Sequence, residues 1–202
     1  MALTLAKRLF DLVGAGSALL LLAPLLLLVG LAIRLDSPGP VFFRQERVGR
    51  GGVLFRIHKF RTMQLDAPAL GPQVTVGRDA RITRIGHALR HYRIDELPQF
   101  IDVLLGRMSL VGPRPEVPRF VAHYPPALRV QVLAVRPGIT DPASLAHIDE
   151  AALLAAAADP EREYIDRILP RKLALQADYA ARATLWSDLV VLGRTLRVLF
   201  AR

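Results

Sequence analysis

A chain of 202 residues is long enough for one domain with a real core plus an anchoring element. Its formal net charge of +9 is combined with a mean hydropathy of +0.31, a pairing that points to a membrane surface before nucleic acid. No nucleic-acid-binding module is recognisable and aromatic interleaving is sparse, so no nucleic-acid partner is expected. The absence of cysteine excludes disulfides and thiolate metal sites and fits a reducing compartment. The histidines at 58, 87, 91, 123 and 147 lack zinc-ligand spacing.

In chain order, the first element is an uncharged run of 22 residues from Leu12 to Ile33, bounded by Asp11 and Arg34. As a straight helix it would reach roughly 33 Å, enough to cross a bilayer core. Two features argue against a simple crossing. Pro24 sits mid-run and removes a backbone hydrogen bond. Positive charge also flanks both ends, with Lys7 and Arg8 before and Arg34, Arg44, Arg47 and Arg50 after, so the positive-inside preference puts both flanks in the cytoplasm. A kinked helix that enters and leaves by one face satisfies both. An ordinary transmembrane helix and a cleaved signal peptide are the alternatives, the second disfavoured by the length of the run.

The turn cluster Asp36-Ser37-Pro38-Gly39-Pro40 ends the apolar run. Val41 to Met63 reads as a small hairpin broken at Gly49-Arg50-Gly51-Gly52, with Lys59 and Arg61 emerging from its second strand. A mobile polar loop is expected from Leu65 to Val76, then a short amphipathic helix from Arg81 to Arg90.

Next comes Arg93-Ile94-Asp95-Glu96-Leu97-Pro98-Gln99, two adjacent carboxylates in the most basic stretch of the chain. Arg78, Arg81, Arg84, Arg90, Arg93 and Arg107 surround them in sequence. Such a segment suits phosphate-bearing substrates together with a carboxylate nucleophile or metal ligand. A solvated acidic pair in a basic loop accounts for it equally well. Leu97, Phe100, Ile101, Leu104 and Leu105 recur at helical spacing before Gly106, which places Asp95 at or near an N-cap and Pro98 in the first turn.

Met108 to Gly112 reads as a brief extended piece running into Pro113-Arg114-Pro115-Glu116, where the prolines fix the direction of Arg114. Arg136-Pro137-Gly138-Ile139-Thr140-Asp141 reads as a second rigid basic turn. The last third reads as helical, starting at Asp159-Pro160-Glu161. Leu185, Leu189, Leu192, Leu196 and Leu199, with Arg194 and Arg197, suit either core packing or the membrane interface.

Taken together, these motifs resemble the bacterial sugar transferase family, the small monotopic phosphoglycosyl transferases. The resemblance rests on Lys7-Arg8-Leu9-Phe10-Asp11, Asp36-Ser37-Pro38-Gly39-Pro40, Gln45-Glu46-Arg47-Val48-Gly49 and Lys59-Phe60-Arg61-Thr62-Met63. It continues through Arg81-Ile82-Thr83-Arg84-Ile85-Gly86, the acidic segment from Arg93, Gly112-Pro113-Arg114-Pro115-Glu116 and Arg136-Pro137-Gly138-Ile139-Thr140. The extent resembles the catalytic core alone, without the additional N-terminal membrane helices of larger relatives. Ala23 departs from the small hydroxyl residue that often precedes the kink proline in relatives.

The resemblance implies transfer of a sugar-1-phosphate from a UDP-sugar donor to polyprenol phosphate, releasing UMP, as a first membrane step of glycoconjugate assembly. It implies a ping-pong route in which Asp95 attacks the β-phosphorus and Glu96 assists through Mg²⁺ or by handling a proton, with Asp95 and Glu96 as metal ligands. Lys59, Arg61, Arg90, Arg93, Arg114 and Arg136 are then the candidates for holding diphosphate or polyprenol phosphate. The implied fold is α+β and mostly helical. A re-entrant membrane helix kinked at Pro24 occupies residues 1–35, and one membrane-associated catalytic domain with a small β-hairpin and amphipathic interfacial helices occupies residues 36–202. The implied location is the cytoplasmic face of the bacterial inner membrane, with the lipid bilayer as partner and room for a homodimer. A membrane-anchored scaffold that binds anionic lipid through its arginines is the rival of a different class, separated by UMP release.

Overall fold

A computed structural model describes residues 5–67, 79–146 and 150–200. Arg78, His147 and most of the loop expected between Leu65 and Val76 lie outside these residues. Helix α1 spans Leu5–Asp36 and runs through Pro24. Its buried positions fall in two groups, Lys7, Asp11 and Ala15 near the start and Val29 and Ile33 near the end. Within each group the spacing is four residues, one helix face meeting a partner. No residue between Ala15 and Val29 is buried, and Leu20, Leu21, Leu27 and Leu28 are largely exposed. Both ends of the apolar helix therefore dock on the same body while its middle stands free.

The polypeptide then forms short strands, β1 (Phe42–Phe43), β2 (Glu46–Val48), β3 (Leu54–Arg56) and β4 (Lys59–Phe60). The expected hairpin is the antiparallel β2–β3 pair, closed at Arg50–Gly52, where Gly51 and Gly52 take positive φ. A second antiparallel pair, β1 with β4, stacks Phe42 on Phe60. Helix α2 (Arg84–His91) starts three residues later than its sequence pattern indicated, because Thr83 caps it by accepting from the Gly86 N–H. Ile85 and Leu89 of α2 pack with Val29 and Ile33 of α1 and with Phe60.

Helix α3 (Gln99–Leu104) ends at Gly106, whose φ of +77° ends the helix as expected. Strand β5 (Ser109–Val111) leads through α4 (Pro118–Val121) and α5 (Pro126–Leu133) to β6 (Gly138–Thr140). Residues 136–141 are thus more than a rigid turn, since β6 pairs in parallel with β5, Ser109 opposite Gly138 and Val111 opposite Thr140. A Cβ on Gly112 or Gly138 would run into the backbone of the opposite segment, so only glycine permits this approach. The last third is helical, as its pattern indicated: α6 (Pro142–Ala146), α7 (Glu150–Ala156), α8 (Pro160–Glu163), a π turn over Tyr164–Ile168, α9 (Leu169–Arg182) and α10 (Leu185–Phe200). Asp159 caps α8 by accepting from the Arg162 N–H.

Three apolar clusters hold these elements together. One gathers Phe120, Val121, Val132, Ile168, Leu169 and Leu173 from α4, α5 and the start of α9. A second joins Ala15 of α1 to Val103, Met108, Leu110, Tyr179 and Val191. The third is the α1–α2 contact described above. Helix α10 docks through Asp188, Val191 and Leu192 and leaves Leu185, Trp186, Leu189, Leu196 and Leu199 exposed. Its leucine repeat therefore lies mostly outside the core.

The start of α1 is tied to the end of the chain by buried charge. The Lys7 ammonium donates to the Asp188 carboxylate of α10 and to the Val111 carbonyl at 3.2 Å. Tyr179 of α9 donates to the other Asp188 oxygen, and Asp11 accepts from the Leu110 N–H and the Ser109 hydroxyl, both at 3.0 Å. Removing one member of a buried pair strands the other, at a cost of about 3–5 kcal/mol. Asp188→Ala is expected to destabilise the protein by about that amount. Lys7→Met combined with Asp188→Leu recovers much of the loss, and urea unfolding in detergent measures both.

Candidate active site

Arg93 sets the acidic pair in place. It is the one non-glycine residue with positive φ among the described residues (58°), a conformation that is sterically costly outside glycine. The bend turns the chain from α2 into a short 3₁₀ turn over Ile94–Glu96, ahead of α3. Asp95 consequently lies inside this turn rather than at a helix N-cap. Pro98 takes the N-cap position of α3, and no side chain caps either element.

The two carboxylates differ sharply. Glu96 is gripped from two sides: Arg114 donates from both terminal nitrogens, one to each carboxylate oxygen (Nη1 to Oε2 at 3.1 Å), and Lys59 Nζ donates to Oε1 at 2.7 Å. Burial pushes the Glu96 carboxyl up, but Arg114 and then Lys59 outweigh it and hold it well below the usual carboxylate range. Asp95 lies beside the clamp and is nearly buried, yet its carboxylate has no hydrogen-bond partner among the described residues. Burial pushes its pKa up, aided by the neighbouring Glu96 charge and opposed by Lys59, Arg90 and Arg114. One carboxylate is fixed by its cations with its pKa lowered, and its neighbour keeps free oxygens with its pKa raised. The adjacent residues thus have separate chemistry.

Of the six cations singled out in the sequence, four gather at the pair. Lys59 is delivered by β4, and Arg114 by the proline-flanked turn after β5. Arg90 approaches from the end of α2, its Nε held by Thr62 Oγ1 at 2.8 Å, and its charge acts on Asp95. Arg93 is exposed, with its charge acting on Glu96. The other two are engaged elsewhere. The buried Arg61 guanidinium donates to the carbonyls of Ser37, Pro38 and Pro40 at 2.7–2.9 Å, tying the turn after α1 to β4. Arg136 Nε donates to the Gly106 carbonyl at 2.9 Å. The geometry gives both a structural contact in place of a direct one with the acidic pair.

Supporting residues went unmarked in the sequence reading. Arg47 donates to the Pro115 carbonyl at 3.0 Å and lies 3.8 Å from Glu116, which also accepts from the Tyr164 hydroxyl. Lys172 of α9 reaches Tyr164 and Glu150. These contacts hold the segment that aims Arg114. The motifs containing Arg47 and Glu116 were visible in the sequence, but their partners are more than 40 residues away and only folding joins them.

For a divalent cation, no cluster of three or more acidic, histidine or cysteine side chains exists among the described residues. Mg²⁺ does not need one, because it retains water and shares the oxygens of a bound phosphate, taking only one or two carboxylates from protein. Two adjacent carboxylates, Asp95 and Glu96, fit the protein share of that donor set.

The structure thus sets a pair of adjacent carboxylates among cations in a chain that also has one helix long and apolar enough to cross a membrane. Comparison with known sequences agrees. Residues 2–202 match the family model described as bacterial sugar transferase, and the chain belongs to that family. It is 40% identical to a UDP-N-acetylgalactosamine-undecaprenyl-phosphate N-acetylgalactosaminephosphotransferase of Aeromonas hydrophila, over 96% of this chain and 43% of that protein. It is also 40% identical to a UDP-glucose:undecaprenyl-phosphate glucose-1-phosphate transferase of Caulobacter vibrioides, over 96% of this chain and 70% of the relative. An Escherichia coli protein with that same description is 44% identical over 67% of this chain and 30% of its own length. The chain thus spans less than half of two of these relatives.

The clamp makes a pH-dependent contribution to stability. Because the folded Glu96 pKa is depressed, its contribution is fully present above the unfolded value, about 4.3, and is lost as pH falls through the folded value. Glu96→Gln is expected to cost about 1.5–3 kcal/mol at pH 7, leaving two cations without their anion. The gap from wild type closes as pH falls below about 4. Urea unfolding at a series of pH values tests this, and a gap independent of pH would mean that the charge of Glu96 is not what stabilises the site.

Proposed function

We propose that the protein transfers a sugar-1-phosphate from a UDP-sugar to a polyprenol phosphate, through a covalent phosphosugar-aspartyl enzyme. The observation that carries this reading is the asymmetry of the pair: Glu96 is fully engaged by Arg114 and Lys59, whereas the Asp95 carboxylate, set among cations, accepts no hydrogen bond from the described residues. A group with free lone pairs and a raised pKa is the better nucleophile of the two. In the first step an Asp95 oxygen forms a bond to the β-phosphorus, and the bond from that phosphorus to the bridging oxygen breaks. UMP departs with the electron pair. In the second step a phosphate oxygen of the lipid acceptor attacks the same phosphorus and displaces the Asp95 carboxylate.

The surrounding residues have roles that follow from their charge. Arg114 presents a planar fork suited to bidentate contact with phosphate oxygens, and Lys59, Arg90 and Arg93 supply further positive charge. A diphosphate that enters competes with Glu96 for Arg114 and Lys59. Glu96 then keeps the two cations aimed until substrate arrives, and a Mg²⁺ ion held by Asp95, Glu96 and the diphosphate would neutralise phosphate charge. The relatives are described with different sugars, glucose in one and N-acetylgalactosamine in another, and these cations contact phosphate rather than sugar.

The same reading covers the membrane. The free middle of α1, docked ends on one body, and Pro24 at its centre support a helix that enters the bilayer and returns to the cytoplasmic face. The exposed Leu104 and Leu105 of the α3 end and the outer face of α10, with Trp186, support contact with the interfacial layer.

Asp95→Asn is expected to abolish UMP release, by at least about a thousandfold, while the protein stays folded. Wild type incubated with radiolabelled UDP-sugar in the absence of acceptor retains label on the protein, and Asp95→Asn does not. Turnover without any trapped label would point instead to direct transfer in a ternary complex.

Topology is tested independently of chemistry. The native chain has no thiol, so a cysteine at Leu5 reports on its own. Leu5→Cys should be protected from an impermeant maleimide added to intact cells, and become partly labelled when Pro24→Ala straightens the helix toward full spanning. Strong labelling with Pro24 present would mean that the helix spans.

A further inference from the structure

One buried carboxylate belongs to neither the acidic pair nor its clamp. Asp141 is 0% exposed. Its Oδ2 accepts the Arg114 backbone N–H at 2.7 Å and Gln176 Nε2 of α9 at 2.9 Å, while its Oδ1 accepts the Ser144 N–H in α6. Just before this N–H, the Pro113 carbonyl accepts the Gly138 N–H at 3.0 Å, and the Gly112 N–H donates to the Thr140 carbonyl at 3.1 Å. The main chain leading into Arg114 is therefore held by residues 138–141 at three consecutive residues. Among the described residues, the donors to Asp141 are two backbone groups and an amide, none of them charged. Its negative charge acts on the Arg114 guanidinium, favouring the charged form after Glu96 and Glu116. Helix capping alone would require only the Ser144 contact.

We propose that Asp141 is a positioning residue for Arg114, fixing its backbone and facing its side chain with negative charge so that the guanidinium fork meets Glu96 and the donor diphosphate. The diphosphate half of this statement rests on the proposed function. The Glu96 half does not. An asparagine at this position fills the same space but offers one acceptor oxygen, so its NH₂ must confront either the Ser144 N–H or the two donors at Oδ2. The prolines at 113 and 115 limit how far the segment can relax, so a disturbed Arg114 N–H is passed to the direction of the side chain.

Two measurements decide it. The first follows the ¹⁵N signals of the Arg114 guanidinium in detergent micelles at one neutral pH, using Glu96→Gln as the reference for a lost clamp. Asp141→Asn should move these signals toward that reference. Unmoved signals overturn the proposal whether or not the protein turns over. The second is a double-mutant cycle on UMP release. Asp141→Asn should lower kcat/KM for the UDP-sugar about tenfold in the parent and cause no further loss on the Arg114→Gln background. Equal losses in both backgrounds would mean that Asp141 acts as a general structural residue, and the proposal would fall. If the parent releases no UMP from any UDP-sugar, the proposed function fails, and the Arg114 signals alone judge the positioning role. Should the asparagine variant not fold, Gln176→Met removes the donor that holds Oδ2 beside Arg114 and should shift the Arg114 signals in the same direction. No shift there overturns the proposal equally.

Discussion

The contact on which the site depends is the grip of Arg114 and Lys59 on Glu96. It joins three separate parts of the chain: the strand after the first hairpin, the 3₁₀ turn before α3, and the proline-flanked segment after β5. Each of these side chains would be costly to bury alone, and together they satisfy one another. The consequence for chemistry lies one residue away. With Glu96 engaged, the cations also surround Asp95 without hydrogen-bonding to it, so burial dominates its pKa and its oxygens remain available.

That grip needs a rigid mount. Parallel pairing of β5 with β6, with Gly112 against Gly138, brings two sequence-distant turns back to back. Helix α9 braces both ends of the Arg114 segment. Gln176 meets Asp141, which holds the Arg114 N–H, while Lys172 and the adjoining Tyr164 support Glu116. The C-terminal third, which contributes no residue to the acidic pair, fixes the direction of the arginine that touches it.

Buried charge also connects the apolar helix to this mount. Lys7 and Asp11 stand just before the apolar run, and they meet Asp188 of α10 and the Ser109-Leu110 strand. At the other end, Arg61 fastens the turn that follows α1, and Asp36 accepts from the Ile85 N–H of α2. The helix is thus held at two points on one body. An apolar segment anchored in this way has a fixed position relative to the acidic pair, which is what the proposed reaction with a lipid-borne acceptor requires.

The sequence by itself determined the features that depend on near neighbours. The length and flanking charges of the apolar run, Pro24 within it, the glycine stop at 106, the Asp159 cap and the helical last third were all legible, because propensity, capping and periodicity act over a few residues. The motifs that hold Asp95, Glu96 and Arg114 were legible as well, through their chain-wide order, and folding is what brings Arg114 onto Glu96. Tertiary structure decided which cations reach the pair. Arg61 and Arg136 carry the same charge as Arg90 and Arg114, but their guanidinium groups complete the hydrogen bonds of backbone carbonyls at turns. It also decided that residues 136–141 form a strand and that Asp95 sits inside a 3₁₀ turn, since both follow from pairing and bending set by distant contacts. Charge is a property of a residue and can be read in place, whereas the partner of that charge is a property of the packed chain.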